Sequence, residues 1–176
     1  MIKNNFYCIL IHYDEIAIKL GNRKWFEKHL IKNIKKSIRD FKYDSIQSFS
    51  GRIFINQINN SDANDILDNL RNVMGVSSLH LMKKISDELD DILEESVNAI
   101  KEEQNNFSTF KIFTKRQNKA FPKTSQELNT IVGEVVRTKF NKKVKLKNPD
   151  LELRIEIIDD LVFLGTKKIS GYGGLP

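Results

Sequence analysis

The spacing of Thr124 and Glu127, a Ser/Thr-x-x-Glu capping box, falls between two stretches of different hydrophobic period, and this junction restricts the fold more than any other feature. Before it, Phe110, Ile112 and Thr114 alternate with Lys111, Phe113 and Lys115, the period of two of a strand. After it, Leu128, Ile131, Val132, Val135 and Val136 repeat at helical spacing. A strand that feeds a helix across so short a link requires stacked layers of sheet and helix. The link is basic: Lys115, Arg116, Lys119 and Lys123 crowd around one aromatic, Phe121, and Pro122. The helix start predicted at Thr124 presents free backbone N–H groups, at Thr124 and Ser125, and the positive end of a dipole. Such a junction suits phosphates on a flexible strand, with Lys115, Arg116, Lys119, Phe121, Lys123, Thr124 and Ser125 as its candidate contacts. The plainer reading is a solvated loop with Phe121 folded back on the core.

Charge favours the binding reading. Residues 107–149 hold eleven Lys and Arg against two Glu, a net +9, while the whole chain carries +6, so the remainder is net negative. Residues 19–39 form a second basic stretch, with eight cations against Glu27, a net +7. A pI near 9.3 makes a polyanion the first partner to consider, nucleic acid ahead of membrane. No apolar run approaches the roughly 20 residues that span a bilayer, and the N-terminus lacks the small-residue cleavage site of a signal peptide. A single cysteine, Cys8, cannot form an internal disulfide, which fits a cytoplasmic setting.

From the start, residues 6–13 read as a buried strand. Asn22 then opens a helix with Trp25, Phe26, Leu30, Ile31, Ile34 and Ile38 on one side and Lys24, Lys28, Lys32, Lys35 and Arg39 on another. Two strands follow over residues 43–49 and 52–58, joined at Ser50-Gly51. Asp62 or Ser61 caps a helix that Gly75 ends, and residues 76–85 close the unit as a strand. The order β-α-β-β-α-β is ferredoxin-like. Residues 86–103 carry eight acids and one Lys around an apolar stripe, a helix with an acidic exterior. The central strand and helix come next, then a basic link, a strand over 151–157, a turn at Asp159 and Asp160, and a strand over 161–165. That is a parallel pair with a crossover, followed by a hairpin. The tail SGYGGLP reads as a flexible exit. The fold class is α+β: a ferredoxin-like domain over residues 1–85 and a small α/β domain with a mixed sheet over 86–176.

No catalytic or metal set emerges. The pairs Asp14, Glu15 and Asp159, Asp160 suit turns or caps. His12, His29 and His80 lack metal-ligand spacing. There is no GxxxxGK[ST] loop. A chain with this inventory binds, and turnover is not expected of it.

The stretch EIAIKLGNRKWFEKHLIKNI with the later SGRIF resembles the N-terminal ferredoxin-like domain of the tRNA 4-thiouridine synthases, ThiI. KRQNKAFPKTSQELNTIVG, with LKNPDLELRIEI and GYGGLP, resembles the THUMP domain that follows it there. The resemblance implies a tRNA-binding module that recognises the acceptor-stem 3′ end and positions tRNA for 4-thiouridine formation at uridine 8. It adds Lys19, Asn22, Arg23 and Arg52 of the first domain to the RNA-binding residues. It also implies that ATP and persulfide sulfur belong to an ATP pyrophosphatase-type domain outside this chain. The alternatives are a THUMP adaptor for another tRNA-modifying enzyme, and a scaffold protein that forms homodimers through the ferredoxin-like sheet.

Overall fold

The computed structural model describes residues 6–13 and 21–176; Lys19, Asp14 and Glu15 lie outside the described residues. The chain divides into two compact units, Met1–Met82 with Lys167–Pro176, and Lys83–Thr166.

The first unit holds β1 (Phe6–His12), α1 (Arg23–Ser37), β2 (Ser45–Phe49), β3 (Arg52–Asn59), α2 (Ala63–Arg71) and most of β4 (Ser78–Ile85). Its strands lie in the order β2-β3-β1-β4 with every pairing antiparallel, the ferredoxin-like arrangement. Alternation along β1 sends Ile9 and Ile11 into one core with Ile53, Ile55 and Leu79, closed by Leu30 and Ile34 of α1 and Ile66, Leu67 and Leu70 of α2. Across the β1–β4 pair His12 lies opposite Ser78 and His80 opposite Leu10, so the two histidines meet on the diagonal, with ring centroids 5.0 Å apart. Among the described residues no three His, Cys, Asp or Glu side chains are grouped to hold a metal ion. No helix among them is long and apolar enough to cross a membrane.

The tail departs from the expected flexible exit. Gly171 N–H donates to the Ser77 carbonyl at 3.0 Å, Gly173 N–H to that of Val76 at 2.7 Å, and Gly75 N–H to that of Gly173 at 2.8 Å. Ile169 and Leu175 pack against the first unit's core. Gly75 therefore holds the tail; α2 already stops at Arg71, capped by Asn72.

The second unit holds α3 (Leu89–Glu102), β5 (Thr109–Arg116), α4 (Ser125–Phe140), β6 (Lys143–Val144), β7 (Leu151–Ile158) and the first part of β8 (Leu161–Ser170). Strand β5 runs parallel to β7 and β6, and β7 is antiparallel to β8, so the sheet is mixed as expected. The two-residue edge strand β6 lies inside what reads in sequence as a plain basic link. Phe110 and Ile112 join Leu153, Ile155 and Ile157 under Leu128, Val132 and Val136 of α4 and Ile92 and Ile100 of α3.

Asp150 pins the start of β7 to the start of β5. Its Oδ2 accepts from the Ser108 and Thr109 amides at 3.0 and 2.8 Å, and these bonds hold the carboxyl below the usual aspartate range. A lowered folded pKa means a contribution present above the unfolded value, about 4, and lost as pH falls through the folded one. Asp150→Asn keeps an acceptor without the charge. Acid titration followed by circular dichroism is expected to show the variant less stable at neutral pH and less sensitive to acid below about pH 4. Parallel acid curves would sink this assignment.

Candidate nucleic-acid interface

The loop after β5 is built from the residues that the sequence singles out, together with one that it does not. Gln117 N–H donates to the Ile157 carbonyl at 2.8 Å and extends the pairing of β5 with β7 by a residue. Asn118 then turns the chain: its Oδ1 accepts from the Ala120 amide at 2.8 Å, and its Nδ2 donates to the Asp159 carbonyl at 3.1 Å. Arg116 Nη1 donates to the carbonyls of Lys119 and Phe121, at 3.2 and 3.1 Å. Its guanidinium thus braces the loop from within. Phe121 is half-buried and packs against the second unit's core, as in the plainer reading of the sequence.

The helix start is where expected. Thr124 is the N-cap of α4 in extended backbone, and both arms of the capping box are made. The Thr124 amide donates to Glu127 Oε2 at 2.7 Å, and the Glu127 amide to Thr124 Oγ1 at 3.2 Å. The Thr124 backbone and hydroxyl hold the Glu127 carboxyl below its ordinary value, with Lys123 and Arg116 adding to the effect. That box uses the Thr124 N–H. Among the described residues the amides left without an acceptor in this first turn are those of Ser125 and Gln126. The segment leading into this turn carries a cluster of two cations along the chain, exposed Lys119 and half-buried Lys123. Lys115 is separated from this cluster, because neighbouring strand residues project to opposite faces. It shares a face with Lys111 and Phe113, opposite Glu156 in the β5–β7 register.

In the first unit, Arg23 and Arg52 converge on the turn between β2 and β3. Gly51 has φ +76°, and a Cβ there would lie 2.8 Å from Arg23 Nη2. Arg23 Nε donates to Glu27 Oε1 at 2.9 Å and Nη2 to the Tyr13 hydroxyl at 3.3 Å, while Tyr13 donates to Glu27 and Ser48 Oγ donates to Glu27 Oε2 at 3.2 Å. Burial pushes the Glu27 carboxyl up, but the bonds from Tyr13, Arg23 and Ser48 together outweigh it and hold the group low. Burial and the Glu27 carboxylate raise the Tyr13 phenol. Arg52, only 4% exposed, donates to the Ser50 carbonyl at 3.1 Å. Asn22, the N-cap of α1, is exposed and makes no side-chain capping bond.

One residue departs from its expected face. Trp25 is 55% exposed, whereas Phe26, Leu30 and Ile34 turn to the core. Residues missed by the sequence reading are Asn118, Asp150 and Asn129, whose Oδ1 accepts the Thr114 amide at 2.9 Å. Arg154, which donates to Glu156 Oε1 at 2.6 Å, was missed as well. Only Arg154 left a local signal, the polar alternation Glu152, Arg154, Glu156 along a strand.

Comparison with known proteins gives the two units their family. The ThiI ferredoxin-like domain matches residues 8–79 and the THUMP domain residues 86–167. A probable tRNA sulfurtransferase of Thermoanaerobacter sp. (strain X514) is 38% identical over 169 residues, which is 96% of this chain and 43% of that protein. The chain therefore spans less than half the length of the curated relatives it matches. The crystal structure of PH1313 from Pyrococcus horikoshii Ot3 superimposes with a TM-score of 0.86 at 30% identity, over 97% of this chain and 57% of that one. A 4-thiouridine synthetase crystallised with RNA and ATP superimposes with a TM-score of 0.82 at 29% identity, over 97% of this chain and 43% of that one. With both domains matched in order and relatives aligned along nearly its whole length, this chain belongs to the ThiI-type tRNA sulfurtransferase family and corresponds to the N-terminal part of its members.

Proposed function

We propose that this chain is a tRNA-docking module, which grips the unpaired 3′ end of the acceptor stem and positions uridine 8 for 4-thiouridine formation. The observation that carries this reading is the braced loop at the start of α4. Arg116 and Asn118 fix its path, so the backbone that carries Lys119 and Lys123 into the helix start with its Ser125 and Gln126 amides is set before binding. Preorganised donors of this kind suit phosphate oxygens. The RNA seen in the related 4-thiouridine synthetase complex supports the choice of partner. Asn22, Arg23 and Arg52 serve the same end in the first domain, Arg23 and Arg52 by shaping the turn at Gly51. In this reading ATP and persulfide sulfur are handled by a catalytic pyrophosphatase-type domain beyond these two, and the setting is the cytoplasm, where tRNA is modified.

The mechanism is electrostatic. Each phosphate neutralised releases counterions, so log affinity falls by about 0.7 to 0.9 per contact per log unit of salt. Lys119→Ala, which keeps the carbonyl that Arg116 bonds, is expected to weaken tRNA binding and to reduce the salt slope by about one unit. Filter binding with intact tRNA, with tRNA trimmed of its unpaired 3′ end, and with duplex DNA decides the matter. The module reading requires a clear preference for the intact RNA. Equal affinity for all three would leave generic polyanion attraction and defeat it.

A further inference from the structure

We infer that the outer face of α1 is a second RNA contact, in which the Trp25 indole stacks an unpaired base while Lys28, Lys32 and Lys36 follow the adjoining phosphates. The inference rests on the proposed RNA-binding function and adds a site on the first unit to it.

Trp25 is held as a platform. Its ring lies 3.9 Å, centroid to centroid, from that of His29, tilted by 32°, and meets the Phe26 ring edge-on at 5.0 Å. His29 Nδ1 is 3.0 Å from the Trp25 carbonyl. A carbonyl only accepts, so Nδ1 carries the hydrogen and the imidazole is fixed under the indole. Phe26 is itself packed against the core. The indole is therefore braced from below and more than half exposed.

The charge lies in line with it. Positions 25, 28, 32 and 36 recur at helical spacing along one ridge about 16 Å long, with Lys35 and Arg39 beside it. Among the described residues none of Lys24, Lys28, Lys32, Lys35 or Lys36 enters an ion pair, and the one acid inside α1, Glu27, is engaged by Arg23, Tyr13 and Ser48. An ordinary solvated face mixes signs, as Glu134 and Arg137 do on α4 at 2.7 Å. Unrelieved like charges at this spacing oppose the helix, and an anionic strand relieves them. The occupant is nucleic acid because the face offers one flat aromatic among cations. It lacks the wide apolar surface that a bilayer or a protein partner would bury. An aromatic ring plus a cationic track is the recognition chemistry of unpaired strands.

Trp25 is the chain's only tryptophan, so its emission reports on this site alone. The test titrates fluorescein-labelled tRNA into the protein and follows label anisotropy and indole emission together. Emission is expected to be quenched along the binding curve. Trp25→Ala is expected to weaken binding by about five- to a hundredfold, the loss of one base stack, while Trp25→Phe retains most of it. Binding by anisotropy with unchanged emission overturns this inference and leaves the proposed function standing. No anisotropy change removes both. Emission that responds to protein concentration without RNA makes the face a contact between copies, and also overturns the inference.

Discussion

Gly171→Ala is expected to destabilise the first unit by about 3 kcal/mol, although it adds one methyl group near the end of the chain. A Cβ at this position would lie 2.2 Å from the Val76 carbonyl oxygen and 2.9 Å from its carbon, and backbone cannot swing aside as a side chain can. The tail would have to lift off the segment that precedes β4. That breaks the bonds of Gly171 to Ser77 and of Gly173 to Val76, and it withdraws Leu175 from the core. Gly173→Ala is the control. Its φ of +68° penalises any Cβ by about 1 kcal/mol, yet nothing lies within 4 Å of the added atom. Urea unfolding should therefore rank the variants wild type, Gly173→Ala, Gly171→Ala, with hydrogen exchange of the Gly75 and Gly173 amides accelerated most in the last. If Gly171→Ala matches Gly173→Ala, the tail is not anchored on Val76.

The tail marks the boundary between what the sequence discloses and what it hides. Local rules recovered the element order: the capping box at Thr124 needs only four consecutive residues, and the two domains follow from changes of period. Flexibility was inferred for SGYGGLP because three glycines remove side-chain information, while its partners, Val76 and Ser77, lie about a hundred residues away in the chain. Asn118 and Asp150 were illegible for the same reason, with bonding partners 41 and 42 residues distant. Trp25 was legible in principle. Phe26, Leu30, Ile34 and Ile38 form a strict series of four, which leaves Trp25 turned by 100° from the core line; apolar character alone had grouped it with them. At the loop, the structure adds bonds that the sequence does not disclose. Arg116 is spent inward on two carbonyls, and the box that announces the helix takes up the Thr124 amide.

The second large effect is expected on the sheet face that carries Lys115. Parallel pairing of β5 and β7 sets Lys111 against Glu152, Phe113 against Arg154 and Lys115 against Glu156. The Arg154 guanidinium lies 4.6 Å from the Phe113 ring centroid, donates to Glu156 at 2.6 Å and stands 3.8 Å from Glu152. Glu156 is fully buried and the Arg154 side chain only 12% exposed. In that setting the pair is not the weak ion pair of an open surface, because water cannot replace the lost partner. Arg154→Met takes a hydrogen-bonded cation from a buried carboxylate and is expected to cost about 3 kcal/mol in urea unfolding. Glu156→Gln removes the charge that Arg154 answers. The double variant, with neither charge, should recover a large part of the loss, giving a coupling of about 2 kcal/mol or more in the cycle. Arg154→Lys should fall between, since an ammonium keeps the charge but lies less well on a ring and lacks the planar fork. Additive single effects would mean that Arg154 acts through its packing on Phe113 alone, and Lys115 would then stand beside a carboxylate held by something other than this arginine.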